Sequence, residues 1–194
     1  RHTVLNAKVH AMNRFGYKMD ISGFYPSIDI GKVKHLFHKK LGCSRIVSRF
    51  LTRFCTYDFH LALGLVTSPI LADQILIEAD ERIGKLCADL GLQMSRFVDD
   101  IMISGPFDIE TSHVPDRIEQ ILNSYGLKPN PEKAKGGQFD QKNLTNTGEK
   151  EEFTITGLRI RSGRVDVASD YIRELDRILD DHDRLSRGGS FIGP

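Results

Sequence analysis

Three carboxylates are the first residues whose type and spacing suggest chemistry. Asp20 lies near the end of a short alternating run, Tyr17-Lys18-Met19-Asp20-Ile21. Asp99-Asp100 sits between two apolar runs, Phe97-Val98 and Ile101-Met102-Ile103. Carboxylates gathered on one surface repel, and their pKa values rise unless a cation intervenes. A hard ion such as Mg²⁺ takes carboxylate oxygens together with substrate phosphates. Two such ions, about 3.5–4 Å apart, activate an attacking hydroxyl and stabilise a leaving phosphate. Both sites also have an ordinary reading: Asp-Asp is at home in a hairpin turn, and Asp20 could cap the turn that follows it. The apolar flanks of Asp99-Asp100 favour the chemical reading, since a plain hairpin turn would usually carry Gly there.

Whether the three meet depends on the elements that carry them. Alternation predicts a strand over 17–21 with Asp20 on its polar face. Asp29 can cap a helix from about Ile30 to Lys40, with Gly42 past its end. Ser44 can cap the next, whose apolar stripe is Ile46, Val47, Phe50, Leu51 and Phe54, with Arg45, Arg49 and Arg53 on another face. Ser68-Pro69 starts a helix, and Ile75, Ala79, Ile83, Leu86 and Leu90 carry its apolar face to Gly91. Residues 94–98 and 101–104 read as two short strands joined through Asp99-Asp100. Pro115 opens a helix with Ile118, Ile121, Leu122 and Tyr125 inward and Gly126 at its end. Residues 136–152 are rich in Gly, Asn, Gln, Lys and Glu and read as a mobile loop or a ragged hairpin; 153–160 reads as one strand. Ser169 caps a last amphipathic helix bearing Tyr171, Ile172, Leu175, Ile178, Leu179 and Leu185 and ending at Gly188-Gly189. The order strand, helices, strand, strand, helix, strand is the split βαβ, or ferredoxin-like, arrangement, an α+β class with an antiparallel sheet and packed helices. In it the first strand lies beside a strand of the central hairpin, which brings Asp20 toward Asp99-Asp100.

Composition narrows the class. With 40% apolar and 27% charged residues the chain is globular, neither disordered nor fibrous. It carries no apolar run of membrane-spanning length and no opening signal peptide, so no membrane partner is expected. A formal net charge of +1 argues on its face against a nucleic-acid binder. That average hides an asymmetry: residues 1–60 hold 11 Lys and Arg against 3 Asp and Glu, and residues 61–194 hold 16 against 23. Cys43, Cys55 and Cys87 lack C-x-x-C spacing, which points away from a disulfide framework or zinc site and toward a reduced, cytoplasmic protein. The opening Arg1, with no Met, leads us to expect a fragment or a processed product.

With the carboxylates in place, a set of blocks resembles the bacterial reverse transcriptases. Asp20-Ile21-Ser22-Gly23-Phe24-Tyr25-Pro26-Ser27-Ile28 resembles their first catalytic block, and Phe97-Val98-Asp99-Asp100 their aromatic-x-Asp-Asp block. Gly64-Leu65-Val66-Thr67-Ser68-Pro69 resembles the Gly-x-x-x-Ser-Pro block that supports template and incoming nucleotide. Gly126 to Lys133 resembles the block whose lysine lies near the nucleotide's phosphates, and Thr156-Gly157-Leu158 the primer-grip hairpin. Any one match is weak, but five in order are specific. Asn6-Ala7-Lys8-Val9-His10 and Ile155-Thr156-Gly157 resemble the Asn-Ala-x-x-His and Val-Thr-Gly boxes of retron enzymes.

The resemblance implies an RNA-directed DNA polymerase core that attacks the α-phosphate of a deoxynucleotide with a primer 3′-hydroxyl. Asp20 and Asp99 would hold two Mg²⁺ ions (Mn²⁺ a possible substitute), with Asp100 and the Ile21 carbonyl in support. Tyr25 would be the sugar gate, Gly64, Ser68 and Pro69 would line the nucleotide and template, and Lys133 would give a proton to the leaving pyrophosphate. Each has a plainer alternative. Tyr25 can be a core aromatic before Pro26, Gly64 a loop glycine and Ser68-Pro69 a helix start. Lys133 can be a solvated lysine with Lys128 and Lys135 nearby, the arginine stripe and His35 and His38 a solvated surface, and His10 a structural hydrogen bond. Three departures stand out: Leu63 replaces the family's usual Gln, Asp73 its usual Asn, and Phe97 the commoner Tyr, with the loss of one hydroxyl near the primer.

The expected organisation is a palm core over 17–25 and 61–167, partial fingers and palm helices over 1–16 and about 26–60, and a C-terminal helix over 168–194 as connector or start of a thumb. Expected partners are an RNA template, a DNA or RNA primer, deoxynucleotides and a cognate structured noncoding RNA. Missing fingers and thumb would leave the isolated chain a poor polymerase. A rival reading is a reverse-transcriptase-like phage-defence protein with untemplated synthesis or a scaffold role. A nucleotide cyclase is disfavoured, since its Gly-Gly-Asp/Glu-Glu-Phe signature is absent.

Overall fold

The computed structural model describes residues 3–144, 150–161 and 163–188, the side chains of 142–144, 150–151 and 180–188 excepted. Helix α1 (Thr3–His10) leads into strand β1 (Phe15–Ile21), followed by a short turn of helix, α2 (Phe24–Ser27), and by α3 (Ile30–His35). The Asp29 side chain accepts from the Lys32 amide and so caps α3, which runs on through a π-turn over Leu36–Lys40. Next come α4 (Arg45–Cys55), the two-residue strands β2 (Thr56–Tyr57) and β3 (His60–Leu61), and the long α5 (Ser68–Asp89). Strands β4 (Gln93–Phe97) and β5 (Asp100–Gly105), helix α6 (Val114–Ser124) and strand β6 (Pro129–Gln138) complete the central unit. Beyond it lie β7 (Lys142–Leu144), β8 (Lys150–Glu152), β9 (Thr154–Ile155), β10 (Leu158–Arg161), β11 (Arg164–Val167) and α7 (Ser169–Gly188).

The central sheet is antiparallel, in the order β4-β5-β1-β6. Strand alternation divides its two faces. Tyr17, Met19 and Ile21 of β1 and Ile101 and Ile103 of β5 point to one face, where Ala72, Leu76, Ala79, Ile83 and Leu86 of α5 and Val114, Ile118 and Leu122 of α6 cover them. The other face carries Met102 and a smaller cluster: Ala7 and Ala11 around α1, with Phe139, Phe153, Ile155 and Ile160. Residue 16, on this second face, is a glycine that leaves room for its neighbours: a Cβ there would come within 2.8 Å of Met102, Phe139 and Phe153. The α+β class and the central hairpin thus match expectation. No described helix is long and apolar enough to cross a membrane.

Four local expectations change. Residues 129–138, which carry no strand in the expected order, form a ten-residue strand; Pro129 and Pro131 are tolerated because β6 is an edge strand. Residues 153–160 are not one strand but a hairpin, β9 and β10, turning at Thr156-Gly157 with φ of 47° and 79°. Positive φ at both central residues gives the twist that a two-residue hairpin turn needs. Helix α4 is turned the opposite way from its pattern: Ser48, Thr52 and Cys55 are buried, and Ile46, Val47, Phe50 and Phe54 face out. Burial of the hydroxyls is cheap here because Ser48 and Thr52 donate back to the carbonyls of Ser44 and Ser48, at 2.7 and 2.6 Å. At α7, the Glu152 carboxylate accepts from the Ser169 amide at 3.1 Å and so caps the helix in place of the expected Ser169 side chain. Tyr171, Ile172, Leu175, Ile178 and Leu179 are exposed on it. The Leu185 side chain and Gly189 lie outside the described residues. The 136–152 stretch contains the end of β6 and the β7–β8 ladder, with 145–149 outside the described residues.

Candidate active site

Asp20 and Asp100 sit directly opposite each other on the β1–β5 ladder, so their side chains share a face. Asp99 precedes Asp100 in a tight turn with Val98, which is held at φ 60°. The turn is tied to β1 by the Ile21 amide, which donates to the Asp99 carbonyl at 3.1 Å. The Asp99 carboxylate is near enough to Asp20 for the charge of one to bear on the other. Sequence alone placed the turn one residue later; the structure puts it at Val98-Asp99 and makes Asp100 the first residue of β5.

The fourth member arrives through an irregularity. Lys18 pairs with Lys135 and Asp20 with Asn130, so the register of β6 against β1 shifts between them. The extra residues of β6 bulge, and a bulge re-aims side chains. Lys133, inside it, donates to Asp20 Oδ2 at 3.1 Å while its side chain stays 63% exposed. That separates it from Lys128, whose backbone carbonyl holds the Ser22 amide at 2.8 Å.

Charge at the cluster is unbalanced. Burial pushes the Asp99 carboxyl above the usual carboxylate range, and the facing Asp20 pushes it further. Burial, then Asp99, then Asp20 do the same to Asp100, with Lys18 and Lys133 opposing. Hydrogen bonding to Asp20, and its charge, raise the Lys133 ammonium. Among the described residues no three His, Cys, Asp or Glu side chains are gathered tightly enough to hold a metal by themselves. What is assembled is the Asp20–Asp99 pair with Asp100 alongside. An all-oxygen pair fits Mg²⁺, which takes one or two carboxylates and fills its octahedron with water and substrate phosphate.

The other predicted residues stand in different surroundings. Tyr25 packs edge-on to Phe24, with ring centroids 5.2 Å apart, against the main core. Ser68 is fully buried and donates to the Ala62 carbonyl at 2.5 Å. Its side chain therefore holds the loop before α5, whose residues 63–67 are left exposed. Gly64, at φ 89°, and Pro69 are exposed in that same segment, as is Leu63. Arg45, Arg49 and Arg53 are solvated. His10 is fully buried, with Nδ1 on Ser104 Oγ at 2.6 Å and Nε2 on Ser95 Oγ at 2.7 Å.

Arg96 belongs beside the turn and escaped the sequence reading. Its side chain is 3% exposed and pairs with Asp80 through Nε at 2.7 Å and Nη2 at 2.6 Å. Nη1 reaches both Asp73, at 3.3 Å, and the Val98 carbonyl, at 2.6 Å. Burial opposes its charge, and the Asp80 and Asp73 carboxylates more than offset that. A sequence signal existed: an arginine inside a strand, and two aspartates seven residues apart on one helix face.

Known proteins align with this arrangement. The profile of the family described as reverse transcriptase (RNA-dependent DNA polymerase) matches residues 2–160. The retron Ec86 reverse transcriptase of Escherichia coli is 29% identical over 170 residues, 88% of this chain and 50% of that protein. The retron Se72 reverse transcriptase of Salmonella heidelberg is 30% identical over 136 residues, 69% of this chain and 36% of that protein. The chain thus spans about half or less of the length of these relatives. Among solved structures, an apo telomerase from Candida tropicalis superposes with a TM-score of 0.55 at 13% identity, covering 85% of this chain and 37% of that one.

Proposed function

The chain belongs to the reverse transcriptase family and is similar to its bacterial retron members, and on that premise we propose that it is the catalytic core of an RNA-directed DNA polymerase. The observation that carries the proposal is the meeting of Asp20, Asp99 and Asp100 at the ends of β1 and β5, with Lys133 on Asp20. In this reading Asp20 and Asp99 hold divalent metal, with Asp100 and the Ile21 carbonyl in support. Bound Mg²⁺ would supply charge stabilisation and an activated primer hydroxyl. The chain's own residues position and neutralise; no covalent step is asked of them. Lys133 is charged, within reach of the carboxylates, and free to swing on an exposed stem from Asp20 to the phosphates of a deoxynucleotide. There it would neutralise charge and give a proton to departing pyrophosphate. Tyr25 would lie under the sugar, with the Gly64–Pro69 segment beside template and nucleotide.

The sheet order and sign support a ferredoxin-like palm over 17–25 and 61–167, with partial fingers over 1–16 and about 26–60 and the start of a thumb or connector from 168. Template RNA, primer, deoxynucleotides, a cognate noncoding RNA and a cytoplasmic setting belong to the same proposal.

Primer extension on an RNA template by the intact protein tests it. Wild type should extend, and Asp20→Asn and Asp99→Asn should each lose at least about a thousandfold in rate, the scale of removing a group that stabilises transition-state charge. Extension by either variant at the wild-type rate would refute the assignment. Residues 1–194 alone should extend poorly. Untemplated synthesis is the second reading, favoured by an exposed Leu63 where the family usually carries Gln. Equal incorporation with and without template would select it.

A further inference from the structure

We propose that Arg96 is a positioning residue for the catalytic turn: it anchors the Val98 carbonyl to α5 and thereby fixes where Asp99 points. The proposal rests on the reading of Asp99 as a metal-holding carboxylate.

Val98 is the reason an anchor is needed. A β-branched residue at φ 60° is strained, and such a conformation persists only where its surroundings over-determine it. Arg96 supplies that determination. It sits two residues earlier on β4, opposite Ile101, and so points to the sheet face that α5 covers. There Asp80 takes Nε and Nη2 as a fork, which fixes the guanidinium plane. With the plane fixed, Nη1 can point in one direction only, and it meets the Val98 carbonyl at 2.6 Å. Asp73, two helical turns before Asp80, accepts from the same nitrogen at 3.3 Å. The turn is therefore pinned on both sides, by Arg96 to α5 and by the Ile21 amide to β1. Asp99 is the residue between the pins.

The same geometry accounts for Asp73. In place of the family's usual Asn, it sets a second carboxylate on a buried guanidinium, an acceptor for which an amide oxygen would also serve. Lysine could not replace Arg96: one ammonium cannot hold a carboxylate bidentately and also fix a third contact direction.

Arg96→Lys in the intact protein tests this with two readouts. Deuterium exchange over 97–100 should quicken relative to wild type while exchange in the rest of β1 and β5 holds. Primer extension should lose about 10–100-fold in kcat, the usual effect of loosening a support of a ligating group, with KM for deoxynucleotide little changed. Asp73→Asn, which keeps an acceptor oxygen, should lose less on both. Should Arg96→Lys fail to fold, Asp73→Ala, which removes only the longer bond, carries the same readouts with smaller changes. Unchanged exchange over 97–100 would overturn the proposal, as would a loosened turn with wild-type kcat. A wild-type protein that never polymerises, combined with a turn that still loosens, would defeat the polymerase reading and leave the anchor standing.

Discussion

Asp20 and Asp100 occupy one rung of the β1–β5 ladder, a placement that selection for stability alone would remove. Like charges directly opposite on a sheet cost about 0.2–1 kcal/mol, and here Asp99 adds a third. The sign of the pH dependence follows from the raised Asp100 carboxyl. A carboxyl whose folded pKa lies above its unfolded value holds its proton better in the folded state. Its contribution favours folding at low pH and is lost as pH rises through the folded pKa. Asp100→Asn should therefore melt higher than wild type at pH 7, by up to about 4 °C for a chain of this size. Because Asp100 keeps much of its surface in solvent although its carboxyl is partly desolvated, screening favours the lower part of that range. The advantage should shrink as pH falls toward the unfolded carboxyl value, where wild type sheds the charge itself. Melting curves across pH 4–7 decide it, and a variant that melts lower than wild type at pH 7 would mean that the carboxylates are not in conflict.

At the scale of elements, what the sequence disclosed depended on whether one residue's neighbours share its chain segment. Helix α5, the β4–β5 hairpin and the cap at Asp29 are local, and periodicity or a single side-chain contact defines each. Strand β6 was illegible because its prolines and glycines oppose strand formation; pairing with β1 overrides them. The bulge that carries Lys133 exists only in that pairing, so its contact with Asp20, across 113 positions of chain, could be expected only by likeness to a family. Arg96 was missed for the same reason: its partners lie on another element. The seat of α1 is a further long-range case. His10 joins it to Ser95 of β4 and Ser104 of β5, and Asn13 also donates to Ser104, at 2.7 Å. A neutral ring donates from one nitrogen and accepts at the other; protonation would make both donate. Burial lowers His10 from 6.5 to about 4. The stability from this group is thus full above pH 6.5 and is lost as pH falls toward 4, on the order of 3 kcal/mol in all. Unfolding by denaturant at pH 7 and pH 4 should show that loss in wild type and much less of it in His10→Gln. Equal losses in both would place the acid sensitivity elsewhere.

Across the whole molecule, the near-neutral total conceals both a charge asymmetry and an apolar one. The basic first 60 residues include α4, where Ile46, Phe50 and Phe54 are 65–75% exposed beside the solvated arginines. The acidic remainder includes α7, with five more exposed apolar side chains. Single exposed apolar residues are ordinary, but contiguous rows along a helix mark surfaces meant to be covered. The inward face of α4 shows that the row is no accident of orientation. Its hydroxyls are satisfied by its own carbonyls, so the helix loses little by turning its aromatic side outward. Residues 1–194 in isolation should accordingly self-associate with rising concentration. The Phe50→Ser, Phe54→Ser double variant should weaken that association while shifting stability by only about 0.5 kcal/mol per site, as for other exposed positions. Sedimentation velocity reads the first effect and thermal melting the second. A wild-type chain that stays monomeric at high concentration would remove the aromatic row as an adhesive surface. A double variant that unfolds would show that Phe50 and Phe54 pack inward after all.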